Sequence, residues 1–162
     1  MTDETESKLA VRCIRTARVI GTTPAALWRA WTHPGIVKTW WGKTAKGTNI
    51  TCELEPRVGG RLDYRLQLPA NEAESRLLGE VIELSSPVRI VFNVLSWDGQ
   101  HSLDGTRVTV EFMDMKDGSS RAVITHEGIT AHQQQTRCLS AWSNALQDLA
   151  SAVNSSAADR LF

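Results

Sequence analysis

Two adjacent tryptophans, a tyrosine and a histidine are the side chains in this sequence with the most chemistry to offer. Trp40 and Trp41 present broad ring faces on which a flat apolar molecule can stack, and such rings serve equally well as core packing. Tyr64 falls in phase with Leu62 and Leu66 in an alternating run, so it faces inward. There its hydroxyl needs a partner, which a ligand or a fixed protein acceptor would supply. His126 is in phase with Ala122 and Ile124 and points toward the same interior. With an ordinary pKa near ~6.5 it would act as acid or base. No second titratable group is placed beside it by the sequence, so a hydrogen-bonded core histidine is the competing account. Leu66, Phe92, Phe112, Leu139 and Trp142 complete the candidate ligand-binding set.

Spacing argues against other chemistries. The string HEGITAH, His126 to His132, has the look of a zinc-protease signature, but that chemistry needs histidines at i and i+4 of one helix. Thr130 occupies the fourth position and Gly128 falls between strand and helix. Cys13, Cys52 and Cys138 show no paired spacing, so no metal is expected. No nucleophile elbow, phosphate loop or dinucleotide fingerprint is present, and no cofactor is expected. Catalytic residues are accordingly assigned to none of these positions.

The element that must position the set is the last long apolar pattern, roughly Ala131 to Val153. Leu139, Trp142, Leu146, Leu149 and Val153 recur at three- and four-residue steps, one stripe of an α-helix. What precedes it reads as strands, and an amphipathic helix after a string of strands must bury its stripe on the sheet. A first strand is expected over Val11 to Ile20. Thr23-Pro24 then starts a short helix, and His33-Pro34 starts a second, which Gly42 ends. From about Thr48 the period is two. Strands are expected over Ile50–Glu55, Leu62–Leu68, Arg76–Leu84, Val88–Leu95, Val108–Phe112 and Arg121–His126, separated by turns such as Ser85-Ser86-Pro87 and Asp117-Gly118. The fold class is α+β, a seven-stranded antiparallel sheet. A sheet that long curls, and the helix lying across it can leave a pocket.

Composition sets the remaining bounds. The 162 residues, 41% hydrophobic and 22% charged, suit one domain with a real core. Residues 1–9 and 154–162 are expected to be flexible ends around a single domain, 10–153. Lys plus Arg and Asp plus Glu both total 18, so no net field attracts nucleic acid or anionic lipid. No apolar run is long enough for a membrane span, and the acidic N-terminus lacks the regions of a signal peptide. Three widely spaced cysteines suit buried thiols in a reducing cytoplasm.

Taken together, Pro24, Trp28, Ala30-Trp31-Thr32-His33-Pro34 and Trp40-Trp41-Gly42 resemble the opening of proteins related to the C-terminal domain of the Hsp90 ATPase activator. Arg57-Val58-Gly59-Gly60, Gly79 to Leu84 before Pro87, and His126-Glu127-Gly128 before Ala141-Trp142 extend the resemblance over residues 10–153. It implies membership of the helix-grip group, which includes lipid-transfer domains, plant allergen-like proteins and aromatic polyketide cyclases, and it implies an internal pocket for an apolar ligand. One departure is Ala141, where relatives often carry Gly before the Trp. The preferred function is non-catalytic carriage or sensing of a hydrophobic small molecule. The alternatives are a cyclase- or hydrolase-like enzyme using Tyr64 or His126, and a protein-binding module related to the chaperone activator. Oligomeric state is not legible.

Overall fold

The computed structural model describes residues 13–69 and 73–160, with side chains to residue 153. Strand β1 (Cys13–Ile20) is followed by helices α1 (Pro24–Thr32) and α2 (Pro34–Trp40). Six strands come next: β2 (Thr48–Leu54), β3 (Arg61–Gln67), β4 (Glu74–Ser85), β5 (Arg89–Trp97), β6 (Arg107–Asp114) and β7 (Ser120–Glu127). Helix α3 (His132–Arg160) ends the described chain. The sheet is antiparallel throughout, in the order β1-β7-β6-β5-β4-β3-β2, and α3 crosses its curved inner face. Val11 and Arg12 of the expected first strand lie outside the described residues, as do residues 1–9, 161 and 162.

Local chemistry explains the short helices. The Thr23 hydroxyl accepts the Ala26 N–H at 3.2 Å and Pro24 fills the first helical position, where its missing N–H costs nothing. His33 closes α1 and opens α2 with extended backbone, and Pro34 again takes the first position. The turn after α2 is tied to α3 by Asp148, whose carboxylate accepts the Thr44 N–H at 3.0 Å and the Thr44 hydroxyl at 2.6 Å. Leu66 is buried beneath this turn.

Register carries the inward-facing side chains into rows. One row runs Ile14, His126, Val108, Phe92 and Val81 across β1, β7, β6, β5 and β4. Another runs Cys52, Tyr64, Leu77 and Trp97 across β2 to β5. A bulge in β5 opposite Leu78/Gly79 separates Val94 from Trp97. It shifts the alternation by one residue, so Ile90, Phe92 and Val94 face inward and so does Trp97. Gly60 closes the turn before β3, where a Cβ would lie 2.4 Å from the Glu55 carbonyl oxygen. That backbone crowding accounts for the glycine pair as a turn. At Gly79 a Cβ would lie 2.8 Å from the Phe92 ring; its absence leaves room for that ring against β4.

Three expectations are corrected. The helix does not stop near Val153 but continues to Arg160. Cys13 is exposed, whereas Cys52 and Cys138 are buried. Leu139 does not join the buried stripe: it is 40% exposed, and Cys138, Trp142, Ala145, Leu146 and Leu149 form the buried face. Leu139 stands one helical turn before Ser143, whose hydroxyl lies 3.1 Å from that of Thr16 on β1. Residues four apart share a side of a helix, and β1 is an edge of the sheet. Leu139 therefore overhangs the edge instead of covering the sheet.

Candidate functional site

Rings fill much of the space between α3 and the sheet. Trp142, at the middle of α3, lies 5.1 Å from Trp97, 6.1 Å from Trp41, 6.4 Å from Trp31 and 6.5 Å from Phe92, centroid to centroid. Trp31 and Trp40 are 5.1 Å apart, and Trp41 and Tyr64 are 5.0 Å apart. The angles are tilted or edge-on, the arrangement that the ring quadrupoles favour. Of the expected set, Trp40, Tyr64, Leu66, Phe92, Phe112, His126 and Trp142 are buried, Trp41 is half-buried, and Leu139 is outside. Trp40, Trp41, Tyr64, Phe92, His126 and Trp142 are brought into one connected cluster. Phe112 belongs to the same buried core, and Leu66 is buried beneath the turn after α2.

His126 is held at both ring nitrogens. Thr106 donates its hydroxyl hydrogen to the Leu103 carbonyl at 2.6 Å. Its oxygen, 2.8 Å from His126 Nε2, is thereby left as an acceptor, so Nε2 carries the proton. Trp142 Nε1–H then donates to His126 Nδ1 at 3.1 Å. The two bonds select one neutral tautomer. Burial in an otherwise apolar row pushes the imidazole pKa down to about 4, because charging it there forfeits hydration. At neutral pH the ring is uncharged and fully engaged, which is poor preparation for proton transfer.

Tyr64 is similarly committed. Its hydroxyl donates to the Trp31 carbonyl at 3.0 Å, and burial raises its pKa well above the usual phenol range. Trp40 Nε1–H donates to the Ala30 carbonyl at 2.9 Å. Trp31 differs: its Nε1–H is buried with no hydrogen-bond partner among the described residues. An unpaired buried donor costs about 1–3 kcal/mol, and it is a polar handle left for a ligand acceptor.

A cleft of about 100 Å³ opens between the first turns of α3 and the β5–β6 connection. Trp97, Leu103, Cys138 and Ala141 are its apolar lining, and Asp98, Gln100, Gln134 and Arg137 its polar one. Gln134 donates to the Gln100 side chain across it at 2.8 Å. Trp97 separates the cleft from the interior, stacked on His126 at 6.1 Å and 14° and tilted against Trp142. Burial pushes the Cys138 thiol up to about 11. Sequence reasoning missed Trp97, Leu103 and Cys138. Trp97 falls at the start of a turn-rich stretch and, counted in twos from Phe92, reads as outward. Only the bulge reverses it. Among the described residues, no three His, Cys, Asp or Glu side chains are grouped to hold a metal ion.

The same architecture recurs in solved structures. A protein from Rhodobacter sphaeroides superposes with a TM-score of 0.74 at 22% identity, covering 91% of this chain and 93% of that one. One from Chromobacterium violaceum gives 0.70 at 22% identity, over 86% and 95% of the two chains. The AHSA1-like protein from Aeromonas hydrophila gives 0.70 at 20% identity, over 89% and 94%. At these identities the likeness is one of fold. No curated protein matches. The family model described as activator of Hsp90 ATPase homolog 1-like protein matches residues 21–154, the stretch from the end of β1 to the buried part of α3. The chain therefore belongs to the activator of Hsp90 ATPase homolog 1-like family and carries its helix-grip fold.

Proposed function

We propose that this protein binds a small, ring-bearing apolar molecule without transforming it, at the Trp97 cleft and the aromatic interior behind it. The observation that carries the reading is the cleft itself: an apolar lining of Trp97, Leu103, Cys138 and Ala141 beside four polar side chains. Ligand sites generally combine apolar walls with a few placed polar groups. Trp142 and His126 lie directly behind Trp97, and Trp40, Trp41, Tyr64, Phe92 and Phe112 wall the interior beyond. Leu139 takes no part. A cavity of roughly 150 Å³ accepts a benzene ring, so a ligand of that size enters the 100 Å³ cleft by displacing Trp97. Catalysis by His126 or Tyr64 has little support, because both are hydrogen-bonded in neutral forms whose pKa values lie away from neutrality.

The test is a titration with indole and naphthalene, followed by native mass spectrometry and by ¹H–¹⁵N spectra. The expected result is saturable binding that moves the Trp97 and Trp142 indole N–H signals and the amides of Gln134, Cys138 and Ala141. Shifts confined to exposed amides would defeat the reading. A pull-down that recovers Hsp90 would favour the protein-binding alternative that the family description suggests.

A further inference from the structure

A second cavity, of about 160 Å³, lies away from the Trp97 cleft, where the end of β1 and helices α1 and α2 meet the far part of α3. Its walls are small or apolar: Ala26 and Ala30 on α1, Ile36 and Trp40 on α2, Leu149 and Ala152 on α3. The alanines create the space. Trp40 cannot easily swing in to fill it, because its ring N–H is fixed on the Ala30 carbonyl at 2.9 Å. Among the described residues lining the cavity, one is charged, the exposed Arg29. It has no ion pair among the described residues. No acidic side chain among the described residues lines the cavity.

We infer that this cavity is a binding site for a small apolar monocarboxylate, with the ring or short chain between α1, α2 and α3 and the carboxylate on Arg29. Size and charge both fit. The volume matches the roughly 150 Å³ that accepts a benzene ring, and guanidinium pairs with carboxylate through two parallel hydrogen bonds. The inference stands independently of the Trp97 cleft, since the two cavities share no lining residue.

Benzoate and its uncharged counterpart benzyl alcohol are the probes, read by ¹H–¹⁵N spectra of the full chain. Benzoate is expected to move the amides of Thr22, Ala26, Arg29 and Ala152 saturably, and benzyl alcohol to bind at least about tenfold more weakly. Arg29→Gln should weaken benzoate by about tenfold, the scale of one lost charge-assisted contact, and leave benzyl alcohol unchanged. Ala152→Leu should abolish both, with an unchanged melting temperature showing that the fold survives. Equal binding of the two probes, indifference to Arg29→Gln, or benzoate shifts confined to Trp97, Gln134 and Cys138 would overturn the inference. In the last case the Trp97 cleft would still stand as a site.

Discussion

Around the middle of α3, Trp142, His126, Thr106 and the Leu103 carbonyl form an unbroken series of hydrogen bonds. Near α1 and α2 the same interior is packed by Trp31, Trp40 and Tyr64, and one ring N–H there has no partner among the described residues. The first region is fixed by direction, since each donor must face its acceptor. In the second, Trp40 and Tyr64 are each held by one hydrogen bond to backbone, and the Trp31 ring by shape and dispersion. A directional network resists chemistry and holds one tautomer; a packed ring cluster tolerates rearrangement as long as volume is kept. That contrast locates rigidity at His126 and adaptability at Trp31, whose ring N–H has no partner among the described residues.

The largest expected effect comes from the residue that belongs to both regions. Trp142→Ala should lower unfolding free energy by about 3–5 kcal/mol, the range for removing a buried Trp or Phe, as read by denaturant titration. A loss under 2 kcal/mol would mean the two regions are not joined through it. Next is the response to acid. The folded-state pKa of His126 is about 4 against an ordinary value of ~6.5, so between these values the unfolded chain binds the extra proton. Stability contributed by the neutral ring is complete above pH 6.5 and is lost as pH falls toward 4, by about 3 kcal/mol in all. His126→Gln, which does not titrate, should lack this part of the slope. A wild-type curve parallel to the variant's would show that the imidazole is not desolvated.

A smaller difference separates two neighbouring rings. Trp40→Phe strands the Ala30 carbonyl, whereas Trp31→Phe removes a donor that was already unpaired. The volume lost is the same, so Trp40→Phe should be the more destabilising by about 1–2 kcal/mol. If Trp31→Phe proves the worse, its N–H has an acceptor after all. The smallest effect is expected outside both regions. Leu139→Ser should change stability by no more than about 0.5 kcal/mol, as for exposed positions generally.

The element order was legible because each element announces itself in a local signal: Thr-Pro and His-Pro at two helix starts, a period of two along β3, a long uninterrupted helical stripe. Tyr64 and His126 were placed inward for the same reason, their strands being regular. Trp97 was not, since a bulge is a property of two paired strands and one strand's alternation does not reveal it. Leu139 was misplaced because a helical stripe says which side is apolar, not where the sheet beneath it ends. The roles of His126 and Tyr64 were equally hidden. Their partners, Thr106 and the Trp31 carbonyl, are 20 and 33 residues away, and no spacing rule links them.

Cys138 gives the molecule a built-in clock. Burial pushes its thiol up to about 11, so little of it is thiolate at neutral pH and alkylation there is slow and waits on exposure of the cleft. Cys13, on the surface, is open to a reagent without any such exposure step, although burial and Glu127 raise its thiol pKa as well, and it can be blocked first. The remaining rate at Cys138, which lines the cleft, then reports how often that cleft opens to a reagent.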